Sequence, residues 1–304
     1  MEGKMRLFIT VAVILLLACY LYASEMKYSI EFSPDDISFD YTESGIAVGM
    51  KDCQISGEVG APSLPARSIN LIAPPQSLLG IEYTVLSDTL AGSFDVAPIG
   101  DLRPDMSVWE LPKAMYKNDF YPDTVVRIVG SGYLSGNHIV SLVLYPISYL
   151  PGTGRLILNS KIDITLHFGQ EEQVFIPDVM TPFSAHLREK LLRSLVDNPE
   201  EIPRFSIPYD IREYTRVISG RQESFPPTPG DDPVDLVILT TDSLAPVFSQ
   251  FDGLRYGVFS RTITVEEIDE NYFGLDLPEK IRRFMQDAYR VWGVSCLFIG
   301  GDPL

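Results

Sequence analysis

HIVSLVLYPISYL (His138–Leu150), PGTG (151–154) and RLILNSKIDITLHF (Arg155–Phe168) form the stretch on which the fold turns. Two long runs of Ile, Val, Leu and Tyr flank a turn of Pro, Gly and Thr. Runs of this kind on either side of a turn read as paired strands. The pattern predicts a β-hairpin. Toward the N-terminus the same grammar recurs in KYSIEF (27–32), DISFDY (36–41), SINLI (68–72), GIEYTVL (80–86), SFDVAPI (93–99) and TVVRIV (124–129). Clusters of Gly, Pro, Asp and Ser separate these runs, and such spacing of short strands predicts an antiparallel two-sheet sandwich over residues 25–170.

Composition agrees with a large β component. The 304 residues include 23 prolines, 22 glycines, 15 tyrosines and 16 phenylalanines, and 45% of the chain is hydrophobic, enough for a substantial core in more than one domain. The net charge is −17, from 24 basic and 41 acidic residues. Nucleic-acid binding rests on clustered Lys and Arg, so no nucleic-acid partner is expected.

Residues 1–24 read as a signal peptide: Lys4 and Arg6 precede LFITVAVILLLA (7–18), an apolar run of secretory length. The expected location is therefore secreted or cell envelope. Two processing routes compete. Leu16-Leu17-Ala18-Cys19 resembles a lipobox, which would put a membrane lipid anchor on Cys19, whereas signal peptidase would cut near Ala23 or Ser24. Removal or lipidation of Cys19 leaves Cys53 and Cys296, too few for a disulfide framework. No CxxC or HExxH spacing is present, so no metal or other cofactor is expected.

Beyond Phe168 the period changes. Thr181-Pro182 opens a helix with a stripe of Phe183, Leu187, Leu191 and Leu195, and Asn198-Pro199 ends it. Residues up to Asp232, including SFPPTPGDDP (224–233), have the composition of a linker, so 171–232 reads as a helix followed by a Pro-rich connection. From 233 onward the sequence alternates strand and helix. VDLVILTT (234–241) is a continuous apolar strand of the type buried in a parallel sheet. Asp242 and Ser243 are expected to cap a helix through Phe251, and FSRTITV (259–265) is the next strand. Asp276 with Glu279 starts a helix whose Ile281, Phe284, Met285, Ala288 and Trp292 share one side, and SCLFIG (295–300) is a third buried strand. The result is an α+β, multidomain chain with a parallel βαβαβ start at its C-terminal end, too little to close such a domain.

The segments VFSRTITVEEI (258–268), DLPEKIRRFMQDAYRVWG (276–293) and VSCLFIGGD (294–302), in that order, resemble the opening of the catalytic domain of gingipain-type cysteine peptidases. GAPSLPARSINLIAPP (60–75) and the long segment Gly132–Phe168 are similar to the propeptide of that family. The resemblance implies a secreted cysteine endopeptidase precursor in which a β-sandwich propeptide aids folding of, and inhibits, a caspase-like α/β catalytic domain. The implied partners are protein and peptide substrates for the full-length enzyme and an intramolecular propeptide–catalytic domain contact. In that chemistry a thiolate attacks the scissile carbonyl and a histidine manages its proton. The family's His-Gly segment and later cysteine match no position here, so the dyad is expected beyond Leu304 and the chain as written is expected to be inactive. The competing reading is a non-enzymatic, envelope-anchored β-sandwich binding protein with a degenerate peptidase remnant. A flavodoxin-like domain would need a phosphate cradle after Thr241, which is missing.

Candidate site residues follow from the same reading. Cys296, among Val294, Leu297, Phe298 and Ile299, reads as a packed core residue rather than a nucleophile. Asp302, after two glycines, reads as a turn residue. His138 and His167 fall in predicted strands, and His186 faces water. Glu266-Glu267 and Asp269-Glu270 read as a solvated acidic loop; calcium is the one ion they would attract, without the ligand spacing of a known loop. Propeptide removal, if it occurs, is expected in the linker at Arg216 or Arg221.

Overall fold

The computed structural model describes residues 24–100, 120–211 and 224–301. The chain divides into two compact units. The first runs up to Gly132 and resumes over His138–Glu172; the second comprises Tyr133–Asn137 and the residues from Gln173 onward.

In the first unit, strands β1 (Ser24–Glu31), β2 (Ile37–Thr42), β3 (Gly45–Met50), β4 (Gln54–Ile55), β5 (Pro65–Ala73) and β6 (Gln76–Thr89) precede β7 (Val126–Leu134), β8 (Asn137–Leu144), β9 (Ile147–Leu150) and β10 (Arg155–Glu171). One sheet has the order β1-β10-β6, with β9 also on β10; the other has β4-β5-β8-β7, and β2 with β3 forms a separate hairpin. Along β10 every second residue faces the core: Ile162, Ile164, Leu166 and Phe168 are buried. The His138 ring of β8 meets Phe168 of β10 edge-on at 5.9 Å, so both sheets supply the same core.

The decisive stretch splits where the sequence reading had one strand. Residues 138–144 pair with β5, whereas 147–150 pair with β10 in the other sheet. Pro146 has no N–H to give a ladder. The backbone turns there, Tyr145 N donating to Val125 O at 2.9 Å and Asn159 N to Pro146 O at 2.8 Å. The hairpin is therefore β9–β10, with Leu150 opposite Arg155. Its turn needs glycine at 154, because φ is +67° and a Cβ there would lie 2.5 Å from Ser93 Oγ. SFDVAPI (93–99) is not a strand. Its residues make single bridges, Val96 to Ile46 and Pro98 to Pro62, because neighbouring residues bond to two different segments and Pro98 cannot donate.

The second unit holds α1 (Pro182–Leu195), the single turn α2 (Ile202–Phe205), β11 (Leu236–Thr240), α3 (Ala245–Phe248), β12 (Gly253–Arg255), β13 (Val258–Thr264), α4 (Val265–Asn271), α5 (Leu277–Asp287) and β14 (Cys296–Ile299). The sheet order is β12-β13-β11-β14; β13 and β14 lie parallel to the central β11, and β12 pairs antiparallel at one edge. Val237, Leu239, Ile263, Phe284, Ala288 and Trp292 form its core. As expected, Thr181 caps α1, its Oγ1 accepting from Ser184 N, and Asp276 caps α5, accepting from Glu279 N.

Four expectations change in this unit. The buried face of α1 is Ser184, Arg188 and Leu192, while Leu191 and Leu195 of the predicted stripe are exposed; the polar network described below outbids the aliphatic stripe. The helix after Asp242 is one α-turn followed by a 3-10 turn, without a side-chain cap, because Gly253 already starts β12. Glu266, Glu267, Asp269 and Glu270 lie on α4, not in a loop: Thr264 and Glu267 close a capping box around its first turn. Finally, β14 is not buried. Leu297, Phe298 and Ile299 are 41%, 50% and 70% exposed, since β14 borders the described sheet and only β11 pairs with it.

Candidate functional site

The parallel strands deliver their carboxyl ends to one edge, the place where open α/β sheets carry their sites. There Thr240 Oγ1 donates to Gly300 O at 2.8 Å, Gly300 N donates to Leu239 O at 2.8 Å, and Asp242 N donates to Glu266 Oε2 at 3.0 Å. These bonds tie the ends of β11 and β14 together and join the loop after β11 to α4. They supply hydroxyls and a carboxylate, but no thiol–imidazole pair.

At the opposite, amino end of the strands sits a buried carboxylate, Asp235. Thr181 Oγ1 and Ser184 Oγ both donate to its Oδ1, the latter at 2.6 Å, and Phe259 N donates to Oδ2 at 2.8 Å. Its carbonyl accepts from Ser295 N and Cys296 N, each at 3.0 Å. One turn along α1, Arg188 Nε donates to Ser295 Oγ at 3.0 Å and Nη2 to Val294 O at 3.0 Å. Three segments far apart in sequence, at 181–188, 235 and 293–296, are thereby locked into one polar core. Neither Asp235 nor Arg188 was singled out in the sequence. The only signal for the first was a lone acid inside an apolar run, VDLVILTT.

Cys296 opens β14 beside this network and is half-buried. Burial pushes its thiol up, and the neighbouring Asp235 carboxylate pushes it further, against a smaller opposing pull from Arg188. A thiol held in this form is a poor nucleophile. Cys53 is likewise half-buried and free, its thiol pushed up by burial first of all.

The three histidines stand apart from Cys296 in function. His138 is buried; its Nδ1 lies 2.6 Å from Pro74 O, which can only accept, so Nδ1 donates there, and its Nε2 is hydrogen-bonded with Ser131 Oγ at 2.6 Å. The pair fastens β8 to the β5–β6 connection. His167 lies on β10 between Glu25 and Glu82, at 3.5 and 3.6 Å. His186 is exposed on α1. Among the described residues no group of three or more His, Cys, Asp or Glu is placed to hold a metal ion. Cys19, Arg216, Arg221 and Asp302 lie outside the described residues.

Residues 21–177 match the family model Propeptide_C25, which covers more than half of the chain. The chain belongs to the C25 propeptide family. These are the propeptides of gingipain-type peptidase precursors, as the sequence resemblance implied. Among solved structures, similarity is found to the complex of Porphyromonas gingivalis RgpB pro- and mature domains, at 17% identity and a TM-score of 0.44, over 58% of this chain and 93% of that one. A structure describing the zymogenic latency of gingipain K from Porphyromonas gingivalis is similar at 19% identity and a TM-score of 0.39, over 48% of this chain and 87% of that one. No curated protein matches the chain. The C25 propeptide match spans the whole of β1–β10 and stops before α1, so the Asp235 network lies wholly outside it.

Proposed function

We propose that the chain is the N-terminal portion of a secreted gingipain-like cysteine endopeptidase precursor. Its β-sandwich propeptide assists the folding of a caspase-like catalytic domain and blocks that domain's access to protein and peptide substrates; the parallel-sheet unit is the beginning of that domain. The observation that carries the reading is the C25 propeptide match over residues 21–177, followed in the same chain by a parallel α/β unit. Hydrolysis by such a domain needs a thiolate with a histidine in reach. In the second unit the described residues offer Cys296, whose thiol is pushed up, and His186, which is exposed and makes no bond to it. The 304-residue chain is therefore expected to leave peptide substrates intact. Export through residues 1–24, and release of the propeptide at Arg216 or Arg221, complete the proposal.

Adding the purified chain to an active gingipain-type peptidase tests it. Dose-dependent loss of hydrolysis of a fluorogenic peptide is expected, with no hydrolysis by the chain alone. Unchanged peptidase activity at a large molar excess sinks the inhibitory role.

A further inference from the structure

Scission of the propeptide is expected at Arg216 or Arg221, yet the second compact unit takes residues from both sides of that point, from Gln173 onward. On the N-terminal side Asp178 N donates to Arg290 O at 2.7 Å, and the Phe175 ring stacks on Tyr289 at 5.5 Å. Val179, Met180 and Leu192 are buried, and the backbone of Val179 passes so close to Gly293 that a side chain there would strike its carbonyl. Ser184 Oγ donates to Asp235 Oδ1 at 2.6 Å. Arg188 donates from Nε to Ser295 Oγ and from Nη2 to Val294 O, each at 3.0 Å.

The C-terminal side is fixed as well. Asp231 accepts from Ser224, Thr228 and Trp292, and Arg261 Nη1 donates to Ser224 O at 3.0 Å. Both flanks of the expected cut are therefore built into one fold, through bonds that do not run along the chain between them. A contact with a desolvated apolar centre and buried charge-assisted hydrogen bonds holds without a covalent link. α1 also lies wholly beyond residue 177, where the propeptide match ends, although it stands on the propeptide side of the cut.

We propose that residues 175–192 are a docking segment of the parallel-sheet unit: when the chain is cut between 211 and 224 they stay seated on Asp235 and on the 288–296 stretch as a non-covalent component. Scission in the linker is then not release, which needs a further step that draws α1 off Asp235 and Ser295. Only the position of the natural cut rests on the precursor reading. The test is the full chain with the recognition site of a sequence-specific protease installed within residues 212–223. After cutting, the two pieces are expected to co-elute on size exclusion at micromolar concentration, and the Asp178 amide to keep its hydrogen-exchange protection. Arg188→Met, which keeps the aliphatic stem and loses the donors, should weaken the hold between the cut pieces at least about tenfold. Leu191→Ala, on the exposed face of the same helix, should leave it unchanged. Separation of the wild-type pieces, loss of Asp178 protection on cutting, or an unweakened hold in Arg188→Met each overturns the proposal, and the first two require no variant to fold. Because the protease site is installed, its failure leaves the precursor reading standing, and a failure to inhibit a peptidase leaves the docking standing.

Discussion

Asp231 shows how a single side chain can order a segment that composition marks as a linker. It is 1% exposed and accepts from Ser224 Oγ at 2.6 Å, Thr228 N at 3.0 Å and Trp292 Nε1 at 3.0 Å. Burial alone would raise its pKa; the bonds from Ser224, Thr228 and Trp292 outweigh burial and lower it. A carboxyl whose folded pKa is depressed contributes stability above its unfolded pKa of about 3.9 and loses it as pH falls toward the folded value. Asp231→Ala strands these donors, one of them on a fully buried tryptophan, and is expected to cost at least about 2 kcal/mol in denaturant unfolding at neutral pH, with the gap from wild type narrowing below about pH 4. Cys296 gives the complementary case: with its thiol pushed up, its reaction with a chromogenic disulfide near neutrality should be slower than that of a free thiol in solution, and Cys296→Ala should leave the melting temperature within a few degrees. That Cys296 sits in a strand was legible in its apolar neighbours, whereas the burial and the Asp235 carboxylate that hold its thiol up were not. The role of Asp231 was not, since its partner Trp292 is remote in sequence and a loop hydrogen bond leaves no periodicity to read.

At the scale of elements, local signals carried furthest where they repeat. The turn-bounded strand β10 and the capped, one-sided pattern of α5 were read correctly because each rests on many residues. α4 was missed although Thr264 and Glu267 have capping-box spacing, since only Ile268 of its seven residues is buried and no apolar stripe marks it. The face of α1 was misread because Ser184 and Arg188 are buried by polar partners that hydrophobic periodicity does not register. Helix ends offer a sharper test. After Trp292 the chain turns through Gly293 at φ +69°, where a Cβ would sit 2.1 Å from Val179 O. Gly293→Ala therefore meets both left-handed strain and a backbone clash, and is expected to cost about 3 kcal/mol or more, read as a fall in the urea midpoint. Gly230→Ala, at φ +101° with open space around it, carries the strain alone and should cost about 1 kcal/mol.

For the whole molecule, the order of the two sheet types along the chain was legible: antiparallel first, parallel after the proline-rich stretch. Exposure of β14 was not, because an apolar run records that a strand suits burial, not what lies over it. Ile299 and Leu297 share the sheet face of Leu239 and Val237, their register partners on β11, yet stand open while those are buried. An apolar strand edge of this kind templates pairing with other chains. The purified chain is expected to associate as its concentration rises, and Ile299→Lys should lower the light scattering without shifting the melting temperature. A different consequence follows from the partner of β1. Ser24 pairs with Phe168 and Glu31 with Lys161, so among the described residues the sheet partner of β1 is β10. During synthesis at about 5–20 residues per second, that strand waits on the order of ten seconds or more before its neighbour exists. The propeptide is thus a late-closing structure in its own biogenesis: the strand made first is paired last.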